Sequence, residues 1–216
     1  MKTFLRTVLL GMAIVGATGC NSMSSDALQT IKLAVSGPES IVTIDRVKAV
    51  NGSVLVARLG AAEAMLVANN ASGVVEWYGV TEMLLTQNGR VIQSAGLPFD
   101  VISPLAADDP FRNGLLSVTD GVEVNRLVDY PAQYLTGLQQ NARYQRGPIE
   151  TVKIMGEDLQ LQRIDERVRI AALNFTATNR YWLEPESGLV RRSVQHISPD
   201  LPPLYLTLVQ TAGGQP

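Results

Sequence analysis

The amino-acid sequence predicts a mostly β protein, a large antiparallel meander sheet accompanied by a few short helices. From Asn51 onward, short runs of apolar and β-branched residues follow one another closely, with turn residues between them. Asn88-Gly89, the dipeptide preferred by two-residue hairpin turns, separates two of these runs. From Leu159 to Gln162 apolar and polar residues alternate, as they do in a strand with one face in water.

Turn residues bound each predicted element. The predicted strands of the first half are Val54 to Leu59, Glu63 to Ala68, Val74 to Tyr78, Glu82 to Gln87 and Arg90 to Ser94. Those of the second half are Thr151 to Ile154, Leu159 to Gln162, Tyr181 to Glu184, Leu189 to Ile197 and Leu204 to Gln210. The best helix candidate is Pro131 to Asn141, where proline can occupy a first turn and apolar residues share one face. Shorter helical pieces are predicted over Ala27 to Val35 and over Ile41 to Val50.

The apolar pattern changes phase within the second half. Apolar residues occupy odd positions up to Leu161 and even positions from Ile164 onward. A shift of one position would turn the side chains to the other face of a strand, so we expect a bulge or bend between Arg163 and Asp165.

The N-terminus has the order of charge, apolar residues and small residues that a secretory signal shows. Lys2 and Arg6 precede an uncharged run from Thr7 to Gly16. This run is too short to cross a bilayer, which takes about 20 apolar residues. Small residues then lead directly into Cys20, the order that a lipoprotein signal peptidase recognises. Residues 1–19 are therefore predicted to be removed.

Cys20 is the only cysteine of the chain and the predicted lipidation site. Its thiol can carry a diacylglycerol, and two or three acyl chains anchor a protein stably because each buried CH₂ contributes about 0.8 kcal/mol. An aspartate after the cysteine would indicate retention in the inner membrane, whereas Asn21 predicts outer-membrane attachment facing the periplasm. The alternative is an ordinary cleaved signal peptide with an incidental cysteine.

The mature chain divides into a tether and a folded part. Residues 20–50 are predicted to contain the lipidated cysteine, a small polar tether and a short helical lead-in. Residues 51–216 are predicted to form a single β-rich periplasmic domain, long enough to bury its own core. The formal net charge of −2 and the lack of a clustered basic segment argue against a nucleic-acid partner.

The chain resembles the YjbF/GfcB family of group 4 capsule polysaccharide lipoproteins from roughly Ser53 to Thr211. The matching stretches are Asn179 to Leu183, Ser187 to Ser193 with Gln195, Leu85 to Ile92 with Gly96-Leu97, and, more weakly, Ser53 with Ala57 to Gly60. The resemblance implies a sheet curled into a partly open barrel, with short helices filling the open side. It also implies a non-enzymatic accessory role in producing or exporting an extracellular or capsular polysaccharide, with export or assembly proteins as partners. It brings no catalytic residue and no cofactor.

An enzyme finds little support in the residues themselves. His196 is the only histidine, and no cysteine remains to bind a metal once Cys20 is lipidated. No Gly-x-Ser-x-Gly motif is present. Carboxylate pairs could serve a glycan-modifying hydrolase, although adjacent acids in turns are usually solvated. These pairs are Asp108-Asp109, Asp165-Glu166 and Glu184 with Glu186. We predict no catalytic residue, no metal site and, for His196, a satisfied or surface position at a strand end.

Direct binding of polysaccharide is the stronger alternative. Sugars stack on exposed aromatic rings, and in an adjacent pair on a regular strand one ring must face outward. Arginines can bind an acidic polymer through charge-assisted hydrogen bonds, and Arg58 and Arg90 are also available. The candidate binding residues are Trp77, Tyr78, Arg180, Tyr181, Trp182, Arg191 and Arg192. The alternative is that other elements cover the outward ring of each pair and that the arginines form a solvated strand face.

Overall fold

The structure is a computed structural model that describes residues 42–71 and 73–212. The signal peptide, Cys20, the polar tether and the helical piece predicted over Ala27 to Val35 lie outside the described residues. Within the described ranges, no helix is long and apolar enough to cross a membrane.

A single antiparallel sheet of eleven strands makes up most of the described chain, which confirms the predicted fold class. The strands are β1 (Val54–Leu59), β2 (Ala62–Ala71), β3 (Val75–Tyr78), β4 (Met83–Gln87), β5 (Arg90–Ala95), β6 (Glu123–Tyr130), β7 (Leu135–Ile154), β8 (Glu157–Ile170), β9 (Phe175–Leu183), β10 (Val190–Gln195) and β11 (Leu204–Gln210). The spatial order is β5-β4-β3-β2-β1-β11-β10-β9-β8-β7-β6. Two meanders therefore join where β1 pairs with β11.

The sheet curls into a half-barrel whose two edge strands are linked by one short segment. Ile102 forms single bridges to Gln93 of β5 and to Asp129 of β6. Its N–H donates to the carbonyl of Asp129 at 3.0 Å, and its own carbonyl accepts from the N–H of Asp129 at 2.8 Å. On the β5 side the N–H of Ser94 donates to the carbonyl of Val101 at 3.0 Å. This segment occupies strand edges that would otherwise be open to another chain.

The two faces of the sheet bury different residues. The interior holds two cores. The first combines residues of β1 to β5 and β11 with Val128, Tyr130 and Ile170, and the second lies beneath the rest of β6 to β10. The segment between β5 and β6 supplies Phe111 and Leu115 to the second core from two 3₁₀ turns, Pro110–Arg112 and Leu115–Ser117. On the outer face the helix α1 (Ile44–Lys48) packs Val47 in a small cluster with Val54. It lies within the helical piece predicted over Ile41 to Val50.

The helix predicted over Pro131 to Asn141 is wrong. Its first three residues form a 3₁₀ turn, and β7 begins at Leu135. A bulge explains the false signal, because Leu135 pairs with Tyr130 while Leu138 pairs with Val128, so that two residues oppose one. Apolar residues three positions apart thus pack against the same core without a helix.

The bulge or bend predicted near Arg163 to Asp165 is present at this level of the sheet, but on the partner strand, because β8 itself pairs with β9 in unbroken register. The register shift lies in the neighbouring strand β7, within Arg146 to Ile149. Leu161 and Ile164 are both buried because they face different cores, Leu161 on the outer face and Ile164 in the interior. Alternation in β8 is regular, and both faces of the sheet are covered at this point.

Candidate functional site

A cluster of charged and aromatic side chains lies buried inside the half-barrel beneath β6 to β9. β6 alternates strictly, and its inward positions are Val124, Arg126, Val128 and Tyr130. The Arg126 side chain is fully buried where an apolar residue would be expected. A buried guanidinium is tolerated only where carboxylates and other acceptors surround it.

Two carboxylates neutralise Arg126. Its Nη1 lies 2.6 Å from Glu166 Oε1, and its Nε donates to Asp109 Oδ2. The hydroxyl of Tyr144 accepts from Nη2, and Gln140 Oε1 accepts from Nη1 at 3.3 Å. Burial by itself lowers the pKa of Arg126, but the charge of Glu166 and the other acidic partners raise it above its ordinary value. The guanidinium therefore stays charged.

Glu166 is the most constrained acid of the cluster. Its second oxygen, Oε2, accepts from Asn179 Nδ2 at 2.8 Å and from the Tyr181 hydroxyl at 2.9 Å. Burial by itself raises the pKa of Glu166. The charges of Arg126 and Arg90, with the bonds from Asn179 and Arg126, outweigh burial and lower this pKa to about 2. The carboxylate is ionised at physiological pH and acts only as a hydrogen-bond acceptor.

Two of the hydrolase candidates, Asp109 and Glu166, come together in this cluster, but their surroundings do not suit catalysis. The expectation that they are solvated is wrong for Asp109 and Glu166, because both side chains are fully buried. A glycosidase acid needs a raised pKa and access to the sugar. Glu166 has a lowered pKa, and both acids face Arg126 instead of solvent. The cluster stabilises the fold.

Arg90 extends the buried cluster toward β10. Its Nη2 donates to Ser103 Oγ at 2.9 Å and lies 3.3 Å from Gln140 Oε1. Arg90 and His196 border a cavity of about 10 Å³, which has room for about one water molecule. The backbone N–H of His196 donates to Asn179 Oδ1 at 2.7 Å, and its ring Nδ1 lies 3.3 Å from the same oxygen, in agreement with the predicted satisfied position. Burial and the charge of Arg180 lower the pKa of His196.

The seven candidate polysaccharide-binding residues do not form one site. Tyr181 is fully buried in the interior cluster. Trp77 packs in the interior core, and its Nε1 donates to Thr86 Oγ1 at 2.8 Å. The other ring of each pair points the opposite way, as the strand alternation predicted. Tyr78 is 45% exposed, and Trp182 lies on the outer face with part of its ring accessible.

Three of the seven come together on the outer face of β9 and β10. The guanidinium of Arg192 lies over the ring of Trp182, 6.0 Å from its centroid. Trp182 Nε1 donates to Glu150 Oε2 at 2.7 Å. Arg180 lies 3.8 Å from Asp165 and keeps half of its side chain exposed. This outer-face group is the part of the predicted site that the fold assembles.

Arg191 lies beside the larger of two apolar cavities, which Trp77 and Arg192 also line. That cavity measures about 560 Å³ and is lined largely by apolar residues, including Leu55 and Leu208. Arg191 donates to Glu184 Oε1 at 2.7 Å, so its charge is paired. A second cavity of about 350 Å³ lies between β1, β2, β4 and the segment before β11. The half-barrel interior is therefore not packed throughout.

Arg126 and Tyr144 were not predicted from the sequence. A signal for Arg126 was present, because it shares the alternation of Val124 and Val128, but β6 itself was not predicted. Nothing local distinguishes Tyr144. Among the described residues, no group of histidine, cysteine, aspartate and glutamate side chains could hold a metal ion.

These features define a β half-barrel with a buried, charge-balanced cluster in its interior and a basic, aromatic outer face. The same fold occurs in the hypothetical lipoprotein YmcC from Escherichia coli (K12), whose crystal structure gives a TM-score of 0.70 at 21% identity over 90% of this chain and 99% of that one. The chain is also 21% identical over 217 residues to an uncharacterized lipoprotein, GfcB, from Escherichia coli (strain K12), covering 96% of this chain and 100% of that protein.

Residues 28–209 match the family described as group 4 capsule polysaccharide lipoprotein gfcB, YjbF. The chain belongs to this family, which confirms the resemblance found in the sequence. Family membership implies an exported, membrane-anchored lipoprotein associated with capsule polysaccharide, and it indicates no enzymatic family.

Proposed function

We propose that this lipoprotein is a non-enzymatic accessory factor in the production or export of a capsular or extracellular polysaccharide. The observation that carries the proposal is the family match over residues 28–209. In this proposal Cys20 is lipidated, the anchor lies in the outer membrane, and residues 51–216 stand in the periplasm as one domain. Its partners are proteins of the export or assembly machinery.

The state of the candidate acids supports an accessory role over hydrolysis. Asp109 and Glu166 are held by Arg126 in the closed interior. Glu184 accepts hydrogen bonds from Ser187 at 2.7 Å and from Arg191 at 2.7 Å. Burial raises the pKa of Glu184, but these bonds outweigh it, so the net shift is downward and away from a general acid.

Capsule assays test the accessory role. Cells carrying the wild type, a Cys20→Ala form or a full deletion are compared for surface polysaccharide, with fractionation to locate each protein. We expect the deletion to abolish surface polymer and Cys20→Ala to lose both the membrane attachment and the polymer. Unchanged polymer in the deletion, or a change in chain length alone, would contradict the accessory role.

Direct binding of polysaccharide is the second candidate function, and the outer-face group of Arg180, Trp182 and Arg192 favours it. These side chains place a half-buried aromatic ring beside guanidinium groups, the combination that binds sugar rings and their acidic substituents. Binding of purified capsular polymer to the full chain, measured by surface plasmon resonance, tests it. No binding at millimolar sugar concentration would exclude it.

A further inference from the structure

Strand register brings two arginines together on the outer face, either side of β11. Arg58 of β1 pairs with Tyr205 of β11. Arg192 of β10 pairs with Thr207, two positions further along the same strand. Residues two apart in a strand share a face, so Arg58 and Arg192 lie on one surface. The two residues are called the arginine pair below.

Aromatic rings support both guanidinium groups. Arg58 lies over the ring of Tyr205, 4.9 Å from its centroid, and Arg192 lies over Trp182 at 6.0 Å. A planar guanidinium stacked on a ring is held in a fixed orientation while its N–H edges stay available to a ligand. The arginine pair is therefore partly preorganised for binding.

The arginine pair forms no salt bridge within the described chain, although Glu63 of β2 is the cross-strand partner of Arg58. Neither guanidinium lies within 4.0 Å of a carboxylate of the described residues, whereas Arg163, Arg180 and Arg191 on neighbouring strands each have one. Arg192 Nε is buried and has no hydrogen-bond partner there. Burial lowers the pKa of Arg192, and the like charge of Arg58 lowers it further.

Two like charges held together cost stability, and an anion bound between them would offset that cost. A carboxylate fits a guanidinium edge through two parallel hydrogen bonds, and the apolar face of a sugar ring fits beside Trp182 or Tyr205. A neutral sugar would satisfy the rings and leave both charges uncompensated. The surface therefore favours a sugar that carries a negative charge.

We propose that the arginine pair, with Tyr205 and Trp182, binds an acidic polysaccharide through the carboxylates of uronic acid units. This inference deepens the polysaccharide-binding function proposed above and rests on it. It adds Arg58 and Tyr205 to the binding surface and specifies the charge of the ligand.

Surface plasmon resonance with the full chain in detergent tests this inference, using immobilised polygalacturonate as the acidic probe and dextran as the neutral one. We expect the wild type to bind polygalacturonate, to lose affinity as NaCl is raised, and to bind dextran at least tenfold more weakly. The double variant R58Q/R192Q should bind polygalacturonate at least tenfold more weakly than the wild type. The control R143Q/R167Q removes the same formal charge from two exposed residues and should bind within twofold of the wild type.

Thermal unfolding separates loss of binding from loss of folding. Because R58Q/R192Q removes a repulsive pair, it should unfold at the same temperature as the wild type or a higher one. Equal binding of dextran, or equal weakening in the control variant, would overturn the inference. The inference would also be overturned if the wild type bound anionic phosphatidylglycerol vesicles and the double variant lost this vesicle binding but still bound polygalacturonate.

The capsule assay and the binding assay fail independently. If the deletion leaves surface polymer unchanged, the accessory function fails whatever polygalacturonate does. If purified capsular polymer does not bind the full chain, the polysaccharide-binding function fails. If capsular polymer binds but polygalacturonate does not, only the acidic-ligand inference fails.

Discussion

Arg126 is the residue on which the interior of this protein depends. Its positive charge, with that of Arg90, balances the negative charges of Asp109 and Glu166 in a region closed to solvent. Such a cluster stabilises only as a complete set, because removing one partner leaves the other charge buried and uncompensated.

Glu166→Gln should therefore destabilise the protein strongly. The substitution keeps the shape of the side chain but leaves Arg126 with Asp109 as its only carboxylate, and we expect a loss of about 3 to 5 kcal/mol in the free energy of unfolding. Urea denaturation measures it. Glu123→Gln is the control, since Glu123 lies 3.9 Å from Arg143 in an exposed pair, and it should change stability by less than about 0.5 kcal/mol. Equal effects of the two substitutions would contradict the structural role of the cluster.

The lowered pKa of Glu166 predicts that the stability of the protein falls in acid. The folded pKa of Glu166 is lowered from 4.5 to about 2, so its contribution is complete above pH 4.5 and is lost as the pH falls toward 2. Glutamine cannot titrate at this position. The difference in urea midpoint between the wild type and Glu166→Gln should therefore be constant from pH 7 to pH 5 and should shrink below pH 4.5. A difference that does not depend on pH would show that the charge of Glu166 is unimportant.

At the scale of elements, two hairpins share one turn geometry but differ in what surrounds the turn. Asn88-Gly89 and Met155-Gly156 are both two-residue turns with positive φ at each residue, 46° and 86° in the first and 50° and 92° in the second. A Cβ added at Gly89 would meet Val190 at the start of β10, whereas the space around a Cβ added at Gly156 is open.

Gly89→Ala should cost more stability than Gly156→Ala for this reason. Both substitutions strain a left-handed backbone, at about 1 to 2 kcal/mol. At Gly89 the new Cβ would also lie 2.6 Å from Val190 Cβ, whereas at Gly156 it would meet nothing within 4 Å. We expect an additional loss of about 1 to 3 kcal/mol at Gly89, measured by urea denaturation. Similar costs would mean that the hairpin does not pack against β10 in solution.

At the scale of the whole molecule, Ile102 decides how the curled sheet ends. The edge strands β5 and β6 do not pair with each other, and the backbone around Ile102 bonds to both. Exposed strand edges promote association with other chains. A short bridging segment thus serves in place of a complete barrel closure.

Ile102→Pro should open this link. Proline removes the N–H that donates to the carbonyl of Asp129, and we expect lower stability and association through the freed edges. Ile102→Ala keeps both backbone bonds and is the matched control, which should keep the molar mass of the wild type. Size-exclusion chromatography with light scattering measures both variants against the wild type. An Ile102→Pro variant with the molar mass of the wild type would show that the sheet edges are protected by other contacts.

The sequence by itself determined the features that depend on neighbouring residues. The sequence correctly predicted the strands Val54 to Leu59 and Arg90 to Ser94 and the Asn88-Gly89 turn, because alternation and turn preferences act over a few residues. The family was also predicted correctly, from short stretches of matching sequence. The same local signals misled at Leu135 and Leu138, where a bulge produced the spacing of a helix.

Only the tertiary structure decided which side chains meet. Asp109, Arg126 and Glu166 come from three separate segments, and the arginine pair comes from opposite ends of the chain. Their proximity follows from strand order, register and the curl of the sheet, which arise from long-range pairing and burial. A local pattern shows that a residue lies on a strand, but the face it occupies and the partner it contacts depend on every strand packed around it.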